Sequence, residues 1–359
     1  MTLIGSATQP VTVLLPHRLL GNIYVQELGR AYQAIGCESI FGPENFFESN
    51  YRPDIVHVNW PEDLYRSYGS GSAESRADRL LQRLDNYKEG GALIAWTVHN
   101  EIPHAAATGD IDSRIYQGVI DRADVIHHHC TRSLERLESR YKIPPGTRQF
   151  VAPHGHYFSY RNHVSKKDAR GILSIPQSAF VYLHFGAVRG YKGIDLVLNA
   201  FRRVRRKGDL LLIAGRMEAT GKLSDRLKLG LYRHFARSVR LHLQTVDSDA
   251  IQLFINAANV LVLGHKNGLN SGVAILGMSF GRPVIGPRLG CIHSVLDQGL
   301  NLTYETGSLD ALVEQMRAAK RIPADQAADV NRAAAESWKW NRICEPVVDS
   351  LRPLSLARS

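Results

Sequence analysis

The chain of 359 residues contains no apolar run close to the roughly 18–20 residues that a helix needs to cross a bilayer. Its first residues also lack the basic segment and apolar core of a secretory signal peptide. Cysteines are few, and the four (Cys37, Cys130, Cys291 and Cys344) are too scattered to match any metal-ligand spacing. These absences argue against a helical membrane protein and a zinc module, and they predict a cytoplasmic protein that uses no bound metal.

What the chain does contain is typical of a globular protein, with 44% hydrophobic and 22% charged residues. Its net charge of +10 is unevenly placed: residues 1–150 hold 15 Lys and Arg against 18 Asp and Glu, and residues 151–359 hold 29 against 16. A basic second half suits nucleotide phosphates, anionic lipid headgroups or nucleic acid. The densest run, 202–207, also ends an amphipathic helix, where cations complement the helix dipole. It lacks interleaved aromatic residues, which argues against nucleic acid.

Strand and helix patterns alternate along the whole chain. Nearly continuous apolar runs predict strands, and longer periodic segments between them predict helices, which together indicate parallel sheets covered on both faces. The predicted strands are 11–15, 54–58, 92–98, 123–128, 180–185, 210–214, 239–243, 259–263 and 283–286. Helices are predicted at 24–35, 77–87, 223–236, 248–257 and 336–351. We therefore expect an α/β protein with two doubly wound, Rossmann-like domains, 1–155 and 156–335, facing each other across a cleft, and a C-terminal helical segment, 336–359, packing back toward the first.

A glycine-flanked loop with two cations is the most informative motif. It runs from Gly186 through Arg189 and Lys192 to Gly193, after a predicted strand and before an amphipathic helix. Glycine permits close backbone approach, the cations supply positive charge, and a helix N-terminus offers free N–H groups, so the loop suits an anionic diphosphate. The alternative interpretation is an ordinary strand-to-helix connection with a solvated lysine.

A second helix start of this kind follows the strand at 259–263. Asn270 or Ser271 is a suitable N-cap, Gly272 comes next, and the helix ends before Gly281. Two helix starts in one α/β domain can hold the two ends of a nucleotide diphosphate. Ser271 can equally be a purely structural cap.

Polar and aromatic residues follow the strands of the first half, where ligands of parallel sheets bind. Trp60 offers a flat apolar face, and carboxylates and imidazoles offer hydrogen bonds and proton transfer. The candidates are Trp60, Glu62, His99, Glu101 and His104, with His156 and Tyr157 at the predicted hinge and Arg216 after a strand of the second half. Each can instead be a packing or loop residue. His127 and His129 share one strand face, but no carboxylate-rich motif accompanies them, so we expect no metal site there.

Taken together, these motifs resemble the sugar-nucleotide glycosyltransferases of the GT-B fold, over most of the chain. The 186–193 loop, 211–216 and 281–285 are similar to the donor domain of the family 4-like group. The stretches 59–62, 97–100, 155–157, 184–193 and 270–272 are similar to bacterial exopolysaccharide β-mannosyltransferases of the xanthan-assembly type. The resemblance implies that Gly186, Arg189, Lys192, Ser271 and Gly272 bind the donor phosphates, and that His99, Asn270 and Trp60 bind sugar.

One departure from the family 4 pattern concerns the mechanism. Retaining members carry two glutamates eight positions apart, and the corresponding positions here are Gly268 and Leu276. Retention by that arrangement is therefore in doubt, and inversion becomes more plausible. Inversion needs a base for the acceptor hydroxyl, and we predict Glu62 or Glu101 in the first domain for this role.

The resulting hypothesis is an inverting hexosyltransferase without a metal or other cofactor. It would move mannose from GDP-mannose onto a lipid-linked oligosaccharide in exopolysaccharide biosynthesis, as a peripheral protein on the inner face of the cell membrane. The alternatives are a UDP-sugar-dependent glucosyl- or glucuronosyltransferase, a GT-B epimerase, and a non-catalytic protein that only binds sugar nucleotides. No nucleic-acid partner is expected.

Overall fold

The computed structural model describes residues 9–100, 109–217 and 238–351. The chain divides into two compact units. Unit 1 comprises Met1–Gly155 and Lys339–Ser359, and unit 2 comprises His156–Trp338. Each unit contains one six-stranded sheet in which every pairing of neighbouring strands is parallel.

The sheet of unit 1 has the strand order β2-β1-β3-β4-β5-β6. Its strands are β1 (Thr12–Leu15), β2 (Glu38–Phe41), β3 (Ile55–Val58), β4 (Leu93–Val98), β5 (Val125–His128) and β6 (Arg148–Val151). All residues of β3, β4 and β5 are buried, as expected of a sheet covered on both faces. The order is the flavodoxin-like one with β6 added, so the strand order reverses between β1 and β3. The carboxyl ends of these two strands are the expected ligand position.

Helices connect these strands. They are α1 (Ile23–Ala34), α2 (Pro43–Phe47), α3 (Pro61–Ser67), α4 (Ala73–Glu89), α5 (Gly109–Arg122) and α6 (Thr131–Arg140). Asn22 caps α1 by accepting a hydrogen bond from the Val25 N–H, and α3 begins at Pro61, whose missing N–H costs nothing in a first turn. Helix α3 therefore starts three residues after β3 and carries Glu62 in its first turn.

The sheet of unit 2 has the order β12-β11-β10-β7-β8-β9, which is the Rossmann order. Its strands are β7 (Val181–Phe185), β8 (Leu210–Ala214), β9 (Val239–His242), β10 (Val260–Val262), β11 (Val284–Pro287) and β12 (Leu302–Tyr304). The helices are α7 (Lys166–Ile172), α8 (Ile194–Val204), α9 (Ile251–Ala257), α10 (Gly272–Ser279), α11 (Gly290–Leu296), α12 (Leu309–Ala318) and α13 (Ala324–Glu336). Here the strand order reverses between β7 and β10.

The core of unit 2 lies where α8 and α12 cover this sheet. Val197 and Phe201 of α8 are buried with Tyr182 of β7 and Met316 of α12. The chain then returns to unit 1 through helix α14 (Asn341–Asp349), which packs against α1 and buries Cys344 there. Within the described ranges, no helix has the length and apolar character needed to span a membrane.

Candidate functional site

The glycine-flanked loop of unit 2 follows β7 at the point where the strand order reverses. Its backbone is left-handed at Gly193, with φ of 59°, and a Cβ there would lie 1.9 Å from the carbonyl oxygen of Gly264. Only glycine allows the loop to lie this close to the end of β10. Gly186 likewise has a φ of 98°, so both ends of the loop have conformations that favour glycine.

Lys192 reaches back over the start of this loop. A Cβ on Gly186 would lie 3.2 Å from Lys192 Nζ and 3.3 Å from Cγ2 of Val273, in the first turn of α10. The ammonium group and the α10 N-terminus are therefore both adjacent to Gly186. Arg189, half-buried, precedes the 3₁₀ turn Gly190–Lys192, and its carbonyl accepts a hydrogen bond from the Lys192 N–H at 3.0 Å.

The start of α10 has the geometry predicted for a helix N-terminus, with one difference. Ser271 is the N-cap, but its side chain makes no capping hydrogen bond within the described part of the chain. Gly272 makes room for Tyr157, because a Cβ there would lie 3.2 Å from the tyrosine Oη. The Tyr157 N–H donates to Ser279 Oγ at 3.0 Å, which fixes Tyr157 along α10.

The structure thus brings together Gly186, Lys192, Gly272 and Tyr157, with Ser271 beside them and Asn270 half-buried next in the chain. Arg216 is exposed after β8, and its carbonyl accepts a hydrogen bond from the Val188 N–H of the same loop at 2.9 Å. His156, by contrast, is half-buried and stacks on Phe158, with ring centroids 4.5 Å apart. A lysine, a glycine-lined loop and a helix N-terminus are the features of an anion site, and their position where the strand order reverses is typical of nucleotide-binding sheets.

The corresponding position in unit 1 lies after β1 and β3. His17 follows β1, and its Nε2 accepts hydrogen bonds from the N–H groups of Asn59 (3.0 Å) and Trp60 (3.3 Å). These two hydrogen bonds hold the backbone in place immediately after β3. The indole of Trp60 stacks on His99, with ring centroids 4.1 Å apart and an interplanar angle of 24°.

His99 has a defined tautomer. The Asn59 amide donates to the His57 carbonyl, which turns Asn59 Oδ1 toward His99 Nε2 at 3.2 Å. Because that oxygen only accepts, His99 Nε2 carries a proton. Burial, followed by the neighbouring histidines, lowers the pKa of His99 well below its usual value, so the ring is neutral.

Further rings extend this group, which we call the aromatic cluster. Tyr24 contacts every other member at ring-centroid distances of 4.5–6.0 Å, and the members are Tyr24, Trp60, His99, His129, His154 and Trp340. Neither ring nitrogen of His129 has a hydrogen-bond partner among the described residues. No three His, Cys, Asp or Glu side chains of the described ranges are placed to hold a metal ion.

Glu62 lies next to this cluster through Asn100, the neighbour of His99 in the chain. Glu62 is buried, and its carboxylate accepts from Asn100 Nδ2 at 2.7 Å and from Tyr116 Oη at 3.1 Å. Burial raises the pKa of Glu62 to about 7, although these hydrogen bonds oppose the shift. Glu62 can therefore exchange a proton near neutral pH. Glu101 and His104, the other predicted residues here, lie outside the described residues.

Several functional candidates were not found from the sequence. His17 and Tyr116 carry no motif of their own, and they reach the site from a loop and a distant helix. Asn100 ends the similar stretch 97–100, but no specific role was predicted for it. His184 of β7 begins the similar stretch 184–193, but it was likewise given no role: it is buried and donates through Nδ1 to the Val262 carbonyl at 3.0 Å. The apolar run 180–185 predicted the strand β7, but it did not indicate which side chain of that strand would have an unpaired buried nitrogen.

The fold and the two groups of residues define a class of protein. It is an α/β protein of two doubly wound units, one with a basic, glycine-flanked loop next to a helix N-terminus and the other with buried polar and aromatic groups after β1 and β3. The comparisons with known proteins refine this class. Residues 179–320, all in unit 2, match the family model of glycosyl transferases group 1. A GDP-mannose:glycolipid 4-beta-D-mannosyltransferase from Xanthomonas campestris pv. campestris is 28% identical over 291 residues, which are 76% of this chain and 74% of that protein.

Solved structures are similar over nearly the whole length. A sucrose-phosphate synthase from Thermosynechococcus elongatus superposes with a TM-score of 0.74 at 18% identity, covering 98% of this chain and all of that one. Anabaena Alr3699/HepE, in complex with UDP and glucose, superposes with a TM-score of 0.73 at 11% identity, covering 96% and 100%. The predicted GT-B fold is confirmed. The chain is a glycosyltransferase, and unit 2 carries its glycosyl transferases group 1 domain.

Proposed function

We propose that this glycosyltransferase transfers mannose from GDP-mannose to a lipid-linked oligosaccharide with inversion, in exopolysaccharide biosynthesis. The observation that carries the proposal is the anion site of Gly186, Lys192 and the α10 N-terminus, which lies inside the matched domain. The choice of GDP-mannose and of a glycolipid rests on the relative from Xanthomonas.

In this proposal unit 2, with the predicted boundaries 156–335, binds the donor. Lys192 and Arg189 neutralise the diphosphate, and the N–H groups at the start of α10 bind its oxygens as the leaving-group charge grows. Asn270 contacts the sugar or its phosphate. These donors and cations supply the charge stabilisation, so the proposed mechanism uses no metal ion.

Inversion is supported by the two positions where retaining relatives carry glutamates. Gly268 has a φ of 115°, a conformation that residues with a side chain rarely adopt. Leu276 is 4% exposed and belongs to the buried face of α10. Neither position offers a carboxylate to a ribose or a donor sugar.

Unit 1, with segment 1–155, binds the acceptor in this proposal and supplies the base. The acceptor hydroxyl oxygen attacks C1 of the donor sugar as the bond from C1 to the phosphate oxygen breaks. The hydroxyl proton passes to the ionised Glu62, and the electron pair of the broken bond remains on GDP. His99 and Trp60 position a sugar ring, with Trp60 as the apolar platform. Glu101 is the other candidate base.

A glycolipid acceptor implies contact with the inner face of the cell membrane. The basic run 202–207 supports this, because Arg202, Arg205, Arg206 and Lys207 are exposed, while Arg203 pairs with Asp310 at 2.6 Å. Exposed cations of this kind attract anionic headgroups by about 1 kcal/mol each.

The test is a nucleotide-binding panel of GDP, UDP, dTDP and CDP, read by thermal shift and calorimetry. We expect a GDP-selective shift that Lys192→Ala removes and that Lys266→Ala retains, since the exposed Lys266 pairs with Asp195 at 2.8 Å. Transfer from GDP-mannose to a glycolipid, with the anomer read by NMR, then tests the reaction. Selectivity for UDP would replace the donor, an α-linked product would reject inversion, and binding without transfer to any acceptor would favour a non-catalytic protein.

A further inference from the structure

His184 presents an unsatisfied acceptor beneath the phosphate loop of unit 2. Its Nδ1 donates to the Val262 carbonyl at 3.0 Å, so a neutral ring carries its lone pair on Nε2. That atom is inaccessible to solvent and has no hydrogen-bond partner within the described part of the chain. A buried polar atom without a partner is costly, and it usually marks a functional position.

The position of His184 connects it with Lys192. His184 lies near the end of β7 and precedes Gly186 by two positions, where a Cβ on Gly186 would meet the side chain of Lys192. That virtual Cβ lies 3.2 Å from Lys192 Nζ. The charge of Lys192 also acts on the His184 ring: burial, the Lys192 charge adding to it, lowers the pKa of His184 to about 4. His184 therefore remains a neutral acceptor beside the ammonium group at any physiological pH.

We propose that His184 is a positioning residue for the donor diphosphate, and that its Nε2 accepts one N–H of the Lys192 ammonium in the nucleotide-bound state. The inference rests on the proposed function, since it assigns a role within the donor site. An ammonium group has three N–H donors, so one can be held by His184 while the other two face phosphate oxygens. A ligand hydroxyl is a poorer partner, because Nε2 is closed to solvent.

Two substitutions separate this role from a structural one. In His184→Asn the amide nitrogen can keep the bond to the Val262 carbonyl, but nothing replaces Nε2. In His184→Gln the longer side chain places its carbonyl oxygen near the position of Nε2. A purely structural histidine predicts that Asn is the better replacement, whereas the positioning role predicts Gln.

Calorimetric titration of the full chain with GDP measures the Kd of each variant. We expect His184→Asn to raise the Kd about tenfold and His184→Gln at most about threefold, a net effect typical of one charge-assisted hydrogen bond. The double variant Lys192→Ala with His184→Asn should bind as weakly as Lys192→Ala alone, because the histidine acts through the lysine. Tyr182→Phe is the control: it removes a buried hydrogen bond to the Met316 carbonyl on the same strand face, and the Kd for GDP should not change.

The outcomes distinguish this inference from the proposed function. If no nucleoside diphosphate binds the native chain, the donor site itself is wrong. If GDP binding needs Lys192, but the double variant raises the Kd by the product of the two single effects, His184 does not act through the lysine. If the Asn variant binds GDP as well as the Gln variant, the inference also fails. Circular dichroism and thermal unfolding of each variant establish that it is folded.

Discussion

At the scale of single residues, Glu62 has the properties of a group kept for chemistry rather than for stability. Its folded-state pKa of about 7 is above the usual 4.5, so the folded state holds the proton more tightly than the unfolded one. Stability from this group is complete below pH 4.5 and is lost as the pH rises through 7. Ionised Glu62 therefore destabilises the fold at the pH where a base must be ionised.

We predict that Glu62→Gln lowers kcat by about 10²–10⁴ without weakening GDP binding, since a proton acceptor is lost while the shape is kept. In the native protein, kcat/KM should rise with pH and reach half its plateau near pH 7. The thermal stability of the variant should equal or exceed that of the native protein above pH 7, because a buried charge is removed.

Glu74→Gln is the matched control, since Glu74 also lies in the first turn of a helix but is exposed. The pH profile of kcat/KM measures the loss of the base, and calorimetric titration with GDP measures donor binding. Native-like turnover in Glu62→Gln would remove this residue as the base and leave Glu101.

The sequence indicated Glu62 because a carboxylate after a buried strand is visible as a pattern. It could not indicate that Asn100 and Tyr116 would donate to Glu62, because they lie 38 and 54 positions away and meet it only through tertiary packing. His17 was missed for a similar reason. The apolar run of β1 ends before it, and its partners are two N–H groups that follow a different strand, β3, and donate to His17 Nε2. Residue types at strand ends are thus predictable, and their hydrogen-bond partners are not.

At the scale of elements, the glycine-flanked loop 186–193 depends on contact between two glycine backbones, those of Gly193 and Gly264. We predict that Gly193→Ala lowers GDP affinity at least about tenfold. Alanine in the left-handed region costs about 1–2 kcal/mol, and its Cβ would lie 1.9 Å from the Gly264 carbonyl, so the loop and Lys192 must move.

Gly190→Ala in the same loop is the control, because no atom of the described residues, apart from its chain neighbours, lies within 4 Å of a Cβ there. Its GDP affinity should be native-like when both variants are titrated side by side. Equal binding by the two would show that the close contact of Gly193 does not shape the site.

The strands illustrate what periodicity can predict. All nine predicted strands are present, with bounds within two residues, and most of them contain a continuous buried apolar run. Three further strands, β2, β6 and β12, were missed. They are edge strands with mixed exposure, and such segments lack an apolar run.

The predicted helix at 336–351 is in fact α14 at Asn341–Asp349, preceded by the separate helix α13. The predicted helix at 223–236 lies outside the described residues.

Four elements of unit 1 are joined by one chain of hydrogen bonds. It runs from Tyr32 to His57 (2.8 Å), Thr97 (2.8 Å), His127 (3.1 Å) and the Ala152 carbonyl (2.8 Å). Because a carbonyl only accepts, His127 donates to it through Nε2, and its Nδ1 must accept from the Thr97 hydroxyl. Thr97 then accepts from His57 Nε2, and His57 Nδ1 accepts from Tyr32. A single carbonyl fixes every proton in the chain.

We predict that Thr97→Val lowers the free energy of unfolding of unit 1 by about 3 kcal/mol, since it leaves an imidazole donor and an imidazole acceptor buried without partners. Thr147→Val should cost less than about 1 kcal/mol, because the hydroxyl of the half-buried Thr147 only donates to the Ala123 carbonyl, at 3.2 Å, and its loss leaves no imidazole without a partner. Urea unfolding of both variants measures the difference, and equal losses would contradict a connected chain.

At the scale of the whole molecule, buried neutral histidines are distributed unequally between the units. In unit 1, burial lowers the pKa of His17, His57 and His127 to about 3 and of His128 and His154 to about 4. His99 and His129 shift in the same direction. In unit 2, burial lowers the pKa of His184 to about 4. Each lowered pKa makes the unfolded state bind more protons, so stability falls as the pH drops below 6.5 and continues to fall to the folded-state pKa.

We therefore predict that mild acid unfolds unit 1 before unit 2. At pH 5 each of the five histidines with a pKa of about 3 or 4 costs roughly 2 kcal/mol, and together they cost on the order of 10 kcal/mol, which is comparable to the stability of a whole domain. Hydrogen exchange followed by mass spectrometry, at pH 7 and pH 5 and corrected for intrinsic rates, should lose protection in β3, β4 and β5 while β7, β8 and β10 stay protected. His163→Gln, at an exposed histidine of unit 2, should leave the pattern unchanged. Equal loss of protection in both units at pH 5 would mean that the buried imidazoles do not determine the acid stability of this protein.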